Sequence, residues 1–432
     1  MTELSRRSLA AVWHPCTQMA RAGQLPPLAI ARGEGAWLHD VEGRRYFDAN
    51  SSWWVNLLGH SDAPLLDAIK QQLDTLPHVM LAGCTHEPAV RLAERLSART
   101  GGQLGHCFFG SDGASAVEIA LKMSFHSWRN RGQDARREFA CLKNGYHGET
   151  IGALAVTDVQ IFRDAYDPLL MRAHIVDAPD ARLGNEAEAL AAMRALLESR
   201  GERIAAVIAE PLVQGAAGMV MYAPSYLKGL RELTREFGVH LIVDEIAMGC
   251  GRTGTFFAYE QANAAEWPDF VLLSKGITGG TMPLSIVLTT DAVFDAFWSE
   301  DVTRGFLHSH SYTGNPLACA AANAVLDRFD AGLLARVGEQ AALLDKAFAP
   351  LARDNRVRHL RQRGLVLAFD VVEPGERFSE RFHLAARRHE LLIRPIGGTV
   401  YLMPPYLIDP STAQWLADAV TATLNEVVPH VD

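Results

Sequence analysis

Short apolar runs alternate with longer amphipathic segments through the middle of the chain. The apolar runs predict strands, of which the clearest are residues 107–109, 204–209, 240–243 and 270–273. The segments between them predict helices, such as residues 116–128, 186–199 and 223–237. Strands that alternate with helices favour βαβ units, and short runs of branched and aromatic residues are typical of parallel strands buried on both faces. The pattern therefore predicts an α/β fold with a mainly parallel sheet.

The pattern changes after about residue 320. It continues with a long helical stretch at 316–348, alternating runs at 364–371 and 391–394, and a final helix after Pro410. These features predict a smaller α+β domain, and we expect the N-terminal segment to join it. The predicted division is a large domain at 60–320 and a small domain built from 1–59 and 321–432. A chain of 432 residues is a natural length for two domains.

Composition and charge narrow the class of protein. Hydrophobic residues make up 48% and charged residues 21% of the chain, and the net charge is −9, which disfavours a nucleic-acid or anionic-membrane partner. No apolar run approaches the roughly 20 residues of a membrane span, and the first residues lack the apolar region of a secretory signal. The six scattered cysteines form no CxxC pair. We expect a cytoplasmic protein with reduced thiols.

Polar residues follow each predicted strand: residues 110–113, Glu210, Asp244 with Glu245, and Ser274 with Lys275. In open α/β sheets, ligands bind in the crevice beyond the carboxyl ends of the strands. The pattern predicts a ligand site formed by these four strand ends.

Two of these residues have side chains suited to imine chemistry. A lysine at the end of a buried strand, as Lys275 is, loses solvent, which lowers its pKa and favours its reaction with a carbonyl. A carboxylate at a neighbouring strand end, as Asp244 is, can pair with a pyridinium nitrogen. Taken alone, Lys275 could also be a surface lysine at the start of a loop, and Asp244 could also be an acid that caps a turn.

Two further features complete a recognisable set. Gly113 and Ala114, followed by Ser115, lie between a strand and a helix, where bare amides can bind a phosphate. Tyr146 in NGYHGET can lay its ring over a planar cofactor, although a packed core tyrosine has the same sequence pattern. An anion turn, an aromatic ring, a strand-end aspartate and a strand-end lysine, in this order, are the parts of a pyridoxal 5'-phosphate site.

The chain resembles the class III (ω) aminotransferases over residues 13–406. LIVDEIAMGCGRTGTFFAYEQ with PDFVLLSKGITGG resembles the family signature, and SYTGNPLACAAANAVL resembles the later segment that reaches the phosphate of a partner subunit. This resemblance implies a fold-type I pyridoxal-phosphate-dependent transferase with a large α/β domain and a smaller α+β domain.

Other segments resemble one subgroup of that family, which acts in biotin synthesis. They are WHPCTQM, DANSSWW, THEPAV, ALKMSFHSW, NGYHGET, KGITGGTMPLS, SHSYTGNPLACAAANA and IRPIGGTVYLMPPYLI. The paired tryptophans and the MPPY segment distinguish this subgroup from ornithine and 4-aminobutyrate aminotransferases. The resemblance implies ping-pong transfer of an amino group from S-adenosylmethionine to 8-amino-7-oxononanoate, which gives 7,8-diaminononanoate.

The resemblance also implies a role for each site residue. Lys275 would bind the cofactor covalently and then move a proton, and Asp244 would pair with the ring nitrogen. The phosphate would be held by Gly113 and Ala114, and from a second subunit by His310 and Ser311, so a homodimer with shared active sites is implied. Arg394 would bind the far carboxylate of the acceptor. The other residues implied to contact substrate are Cys16, Trp53, Trp54, Tyr146, Lys275 and Ser309.

One departure leaves the substrate open. The family's HPYT segment carries a tyrosine that helps to recognise substrate, and this chain has Cys16 there. The alternatives are therefore a class III enzyme that uses lysine or another ω-amine as donor, or a different acceptor. A decarboxylase or racemase on the same fold, and a non-catalytic protein, are disfavoured by Arg394 with the paired tryptophans and by the intact Lys275 and Asp244.

Two other motifs are set aside. His308 and His310 resemble a metal pair, but no carboxylate or cysteine stands at ligand spacing, so no metal is expected. Residues 249–254 resemble a dinucleotide loop but are not followed by a helical pattern, which disfavours a nicotinamide dehydrogenase. We expect Arg252, within that loop, to support the surroundings of the cofactor.

Overall fold

The computed structural model describes residues 1–428 and divides the chain into two compact units. The large unit is Pro64–Gly338, and the small unit combines Met1–Ala63 with Glu339–Asp432. The predicted boundary after residue 320 is corrected, because the helix Pro316–Asp330 packs on the helix Glu87–Arg99 of the large unit. The division lies within the helix Leu333–Phe348.

A seven-stranded sheet forms the centre of the large unit. Its strands, in spatial order, are His106–Gly110, Ser285–Thr289, Phe270–Leu273, His240–Asp244, Ile204–Ala209, Glu138–Leu142 and His174–Val176. Ser285–Thr289 is antiparallel to both of its neighbours, and the other paired strands are parallel. The strand Phe270–Leu273 is therefore parallel to His106–Gly110, and their carboxyl ends lie at the same edge of the sheet.

Helices cover this sheet and connect its strands. In the large unit they are Ala63–Thr75, Glu87–Arg99, Gly113–Asn130, Ile151–Ala155, Gln160–Arg163, Glu186–Arg200, Pro224–Glu236, Asp291–Asp295 and Pro316–Asp330. Gly113–Asn130 packs its apolar face on the sheet, where Ile119 and Ala120 share a core with Ile242 and Leu272. The three helices predicted between the strands are confirmed, with bounds that shift by a few residues.

The helical stretch predicted at 316–348 is wrong as a single element. The structure has two helices, Pro316–Asp330 and Leu333–Phe348, separated at Ala331 and Gly332. Gly332 has φ +89°, a conformation that ends a helix and that glycine adopts without a steric cost.

The small unit is built from both ends of the chain. A four-stranded sheet has the order Ile30–Glu34, Trp37–Asp40, Arg45–Asp48 and Leu391–Leu392, and a three-stranded antiparallel sheet contains Val357–Arg363, Val366–Val371 and Thr399–Leu402. The helices Glu3–Ala11, Phe378–Ala386 and Pro410–Val427 complete the unit. Leu391 pairs in parallel with Phe47, and this backbone pairing joins the two ends of the chain.

A helix that crosses a membrane needs about 20 predominantly apolar residues. Within residues 1–428, the structure contains no helix that is long and apolar enough to cross a membrane.

Candidate active site

Lys275 lies where the buried strand Phe270–Leu273 ends. Ser274 precedes it, and the Ser274 hydroxyl donates a hydrogen bond to the Leu284 carbonyl at 2.8 Å. Lys275 has φ +47°, an uncommon conformation for a residue with a side chain and one that is often found at functional sites. The other lysines of the chain are all exposed: Lys70, Lys122, Lys143, Lys228 and Lys346. Lys275 is half-buried, and among residues 1–428 it is the one lysine that is not exposed.

The charge state of Lys275 depends on two neighbouring carboxyl groups. Burial lowers the pKa of the Lys275 amine, while the charges of Asp244 and Glu210 act in the opposite direction. The strand register explains this proximity, because Asp244 pairs with Leu272 on the adjacent parallel strand. Glu210 follows the strand Ile204–Ala209 on the other side of Asp244. The three side chains meet at the carboxyl edge of the sheet.

Asp244 is held by a buried histidine that no sequence pattern marks as a site residue. His147 Nδ1 donates to Asp244 Oδ2 at 2.7 Å, and the two side chains are 0% and 5% exposed. The Ile246 amide donates to Asp244 Oδ1 at 3.1 Å. His147 is oriented in turn through its own amide, which donates to Thr157 Oγ1 at 2.9 Å. The strand-end carboxylate is therefore fixed in direction by one ring nitrogen and one amide.

Glu210 organises the loop that carries Tyr146. Its carboxylate accepts hydrogen bonds from the Tyr146 amide at 3.1 Å and from the Gly215 amide at 2.9 Å. Burial raises the pKa of the Glu210 carboxyl to about 7, and the charge of Asp244 acts in the same direction. From the sequence, Glu210 is only a polar residue at a strand end, since its partners come from loops elsewhere in the chain.

Tyr146 is partly buried beside this network. Its hydroxyl donates to Glu149 Oε1 at 3.0 Å, and its ring lies 5.6 Å from the ring of Phe162, centre to centre. Tyr146 is therefore held at two points, because its amide donates to Glu210 and its hydroxyl donates to Glu149.

The predicted phosphate turn opens the 18-residue helix Gly113–Asn130. Asp112 caps this helix, because its carboxylate accepts from the Ser115 amide at 2.9 Å and from the Ser115 hydroxyl at 2.7 Å. The amides of Gly113 and Ala114 have no acceptor in the part of the chain that the structure describes. The hydroxyl of Ser115 is therefore used by Asp112. The two preceding amides are the donors available to an anion.

Close backbone packing brings the turn to the rest of the cluster. A Cβ atom on Gly148 would lie 2.6 Å from Ala114 Cβ, and Gly148 has φ +122°. A Cβ atom on Gly113 would lie 3.0 Å from Ile246 Cγ2, two residues after Asp244. The large unit therefore gathers the lysine, the aspartate, the tyrosine loop and the anion turn. This donor set fits a phosphorylated planar aldehyde with a basic ring nitrogen.

The segment Ser309–His310–Ser311 lies in a loop of the large unit. Ser309 and Ser311 are exposed, and His310 Nδ1 accepts from the Tyr312 amide at 3.2 Å. Large apolar side chains in this region are solvent-exposed, with Leu307 79% and Tyr312 64% accessible. The contacts described for these three residues are local to the loop.

The small unit brings together Trp53 and Arg394. The guanidinium carbon of Arg394 lies 5.9 Å from the centre of the Trp53 ring, and Trp53 is 51% exposed. No carboxylate in residues 1–428 pairs with Arg394. Trp54 is only 5% exposed, and its indole N–H donates to the Tyr401 hydroxyl at 3.0 Å. Of the two predicted pocket tryptophans, the structure presents Trp53 to solvent and uses Trp54 in packing.

Two remaining sequence features have plain structural descriptions. Cys16 is exposed in a turn after the helix Glu3–Ala11, with φ +48°. Arg252 is fully buried. In the described ranges of the chain, no three histidine, cysteine, aspartate or glutamate side chains are placed to hold a metal ion.

The fold and the strand-end cluster are those of a class III aminotransferase. The model of the class III aminotransferase family matches residues 18–424, so the chain belongs to this family. The predicted family, the predicted fold class and the assignment as an enzyme are confirmed.

Three related proteins show which members of this family the chain resembles. The chain is 41% identical to adenosylmethionine-8-amino-7-oxononanoate aminotransferase from Helicobacter pylori, over 98% of each chain. The crystal structure of the enzyme of that name from Methanocaldococcus jannaschii matches with a TM-score of 0.94 and 35% identity, over 98% of this chain and 99% of that one. An amine transaminase from an uncultivated Pseudomonas species, solved in its PLP-bound form, matches with a TM-score of 0.90 and 32% identity, over 96% and 99%.

Proposed function

We propose that the chain uses pyridoxal 5'-phosphate to transfer an amino group from S-adenosylmethionine to 8-amino-7-oxononanoate, which gives 7,8-diaminononanoate for biotin synthesis. The observation that carries the proposal is the placement of Lys275 and Asp244 at the ends of adjacent parallel strands. The two relatives named for these substrates align over nearly the whole chain, which supports this choice of donor and acceptor.

Each part of the large-unit cluster corresponds to one part of the cofactor. Gly113 and Ala114 would donate their free amides to the phosphate, where the helix dipole also favours a negative charge. Asp244 would hold a proton on the ring nitrogen, and Tyr146 would lie near the ring. Pyridoxal 5'-phosphate, when bound, supplies an electron sink for the substrate carbon that carries the transferred nitrogen.

Lys275 performs the proton and amine chemistry. Because burial lowers the pKa of its amine, a larger fraction is uncharged at neutral pH than for an exposed lysine. The uncharged amine can attack a carbonyl and, once a substrate amine has displaced it, can take a proton from one atom and return it to another. The reaction is ping-pong, because the donor product leaves before the acceptor takes the nitrogen.

The acceptor's far carboxylate is assigned to Arg394. A guanidinium binds a carboxylate through two parallel hydrogen bonds, and that of Arg394 has no carboxylate partner within residues 1–428. The adjacent indole of Trp53 offers an apolar surface for an aliphatic chain. Trp54, Ser309 and Cys16 are further substrate-side assignments made from the sequence resemblance.

We also infer a homodimer in which His310 and Ser311 reach the phosphate bound by a second copy. The exposed Leu307 and Tyr312 on the same loop support a protein contact there, since large apolar side chains are usually covered. The cytoplasm remains the inferred compartment, and the free cysteines are in keeping with reducing conditions.

A second candidate is an amine transaminase with another donor or acceptor. Cys16 stands where a substrate-recognising tyrosine is expected, and the matched Pseudomonas structure is an amine transaminase. Lysine as donor to the same acceptor belongs to this candidate.

A donor-by-acceptor assay on the purified holoenzyme separates these possibilities. Diaminononanoate formation would be followed by mass spectrometry with adenosylmethionine, lysine and a panel of ω-amines, with Lys275→Ala as the inactive control. We expect product with adenosylmethionine. Product only with lysine would change the donor, and turnover of other amines without any oxononanoate turnover would refute the proposed acceptor.

A further inference from the structure

We propose that Asn50 is a positioning residue that sets the geometry of Arg394 and Trp53, and through them the enzyme's preference for an acceptor with a far carboxylate. This inference rests on the proposed function, because it concerns how Arg394 is held for the substrate carboxylate. All of the contacts that support it lie within the small unit.

Asn50 begins an unusual turn of the backbone. The next four residues, Ser51 to Trp54, have φ values of +49°, +48°, +73° and +72°. Residues with side chains rarely adopt this left-handed conformation, and a run of four requires contacts that hold it. The Trp54 amide donates to the Asn50 carbonyl at 2.8 Å and closes the turn. Trp53 is therefore presented on a segment whose first residue is Asn50.

Other contacts anchor the same turn. The Ser52 amide and hydroxyl donate to the two carboxylate oxygens of Asp48 at 2.9 and 2.6 Å. The Ser51 hydroxyl donates to the Met403 carbonyl at 2.6 Å. These bonds support the turn but do not involve Arg394.

The side chain of Asn50 connects the turn to the segment that carries Arg394. Asn50 is buried; its Oδ1 accepts from the Arg394 amide at 2.7 Å and its Nδ2 donates to the Tyr401 carbonyl at 3.1 Å. Both bonds are to main-chain atoms. The bond to the Arg394 amide therefore fixes the position of the Arg394 backbone and not only the rotamer of its side chain. A single carboxamide thus uses its acceptor for the segment that carries Arg394 and its donor for the strand Thr399–Leu402.

The contacts form a closed ring. The Asn50 main chain starts the turn, Trp53 projects from the turn, the Trp53 ring lies beside the Arg394 guanidinium, and the Arg394 amide returns to the Asn50 side chain. Removing the carboxamide opens this ring and leaves the Arg394 N–H and the Tyr401 carbonyl without this partner. The guanidinium would then lose its fixed position relative to the indole, and a shift of about 1 Å at such a group is enough to reduce catalytic efficiency strongly.

The test compares acceptors with and without the carboxylate. Values of kcat and KM would be measured on the holoenzyme for 8-amino-7-oxononanoate and for its methyl ester, in wild type, Asn50→Ala and Ser51→Ala. We expect Asn50→Ala to raise KM for the acid about ten-fold, with less than about two-fold change for the ester and for the amino donor. Ser51→Ala is the matched control, because it removes a buried bond of the same turn and leaves Arg394 in place.

A double-mutant cycle tests whether Asn50 acts through Arg394. In an Arg394→Ala background, Asn50→Ala should have no further effect on the acid-to-ester ratio. An equal effect in both backgrounds, or the same loss in Ser51→Ala, would overturn the positioning role. If Asn50→Ala does not fold, Asn50→Leu replaces it in the same cycle, because leucine keeps the side-chain volume but can neither accept from the Arg394 amide nor donate to the Tyr401 carbonyl.

Binding of nonanoate, measured by calorimetry, separates this inference from the proposed function. Nonanoate binding that weakens about ten-fold in Asn50→Ala supports the role of Asn50 even if wild type does not turn over 8-amino-7-oxononanoate. The opposite outcome is also distinct. If wild type turns over that acceptor, and Asn50→Ala changes neither the acid-to-ester preference nor nonanoate binding, the proposed function is supported and the role of Asn50 is refuted.

Discussion

Replacing His147 with leucine should slow amino transfer without removing the cofactor. His147 Nδ1 donates to Asp244 Oδ2 at 2.7 Å between two buried side chains, and the Ile246 amide at 3.1 Å is the other donor to that carboxylate. A hydrogen bond to a charged group contributes about 1.5–3 kcal/mol. If that free energy is lost only in the transition state, His147→Leu lowers the rate constant of the first half-reaction by about 10- to 150-fold.

The assay is a single-turnover stopped-flow measurement of the holoenzyme with donor, followed through the visible absorbance of the bound cofactor. His147→Asn is the matched control, since the amide nitrogen of asparagine can occupy the position of Nδ1 and donate to Asp244. We expect this variant to stay within a few-fold of wild type. A His147→Leu rate within two-fold of wild type would refute the reasoning, and an Asn variant as slow as the Leu variant would mean that the ring packs but does not act as a donor.

Four further predictions follow from the same geometry. Arg394→Ala should raise KM for 8-amino-7-oxononanoate by at least ten-fold while the donor KM changes little, and equal losses for both would remove Arg394 from the carboxylate role. Gly148→Ala places a Cβ atom 2.6 Å from Ala114 Cβ at φ +122°, so cofactor affinity measured by fluorescence titration should fall at least about ten-fold; unchanged affinity would contradict the packing. Burial raises the pKa of Glu245 to about 8 in the folded chain, so the stability that its protonated form contributes is fully present below pH 4.5 and is lost as the pH rises through about 8. Glu245→Gln should therefore flatten the fall of Tm between these pH values, and an unchanged slope would contradict the raised pKa. Because burial lowers the pKa of Lys275, covalent cofactor capture by the apoenzyme should reach half its maximal rate below pH 10.5, and a midpoint at or above that pH would be contrary to the burial.

The sequence predicted those parts of the site that depend on local pattern. Lys275 and Asp244 end strongly apolar runs, and buried parallel strands place such ends at one edge of a sheet. Gly113 begins an amphipathic helix directly after a strand, so the sequence also indicated the anion turn. The structure places all three where the pattern indicated.

Contacts between distant segments could not be predicted in the same way. His147 and Asp244 are 97 positions apart, and nothing local distinguishes a buried histidine from an exposed one. The hydroxyl of Ser115 stands beside the predicted phosphate turn, yet it donates to Asp112 Oδ2 at 2.7 Å. Sequence pattern shows that a hydroxyl is present but not which acceptor it takes.

Backbone conformation accounts for other differences. Trp53 and Trp54 are adjacent and were given one role, yet the left-handed turn exposes the first and buries the second. The strand Ser285–Thr289 was not predicted, because it directly follows a stretch rich in glycine and proline that favours a loop. The break at Gly332 was likewise not recognised within a continuous helical pattern.

The covalent role of Lys275 is the central claim, and chemical trapping tests it most directly. Borohydride would reduce the bond between the cofactor and the enzyme, and peptide mass spectrometry would locate the modified lysine among Lys275 and the exposed Lys70, Lys122, Lys143, Lys228 and Lys346. We predict stoichiometric modification of the peptide that contains Lys275 and loss of the label in Lys275→Ala. Modification at another lysine, or no modification of a holoenzyme that transfers amino groups, would contradict the account.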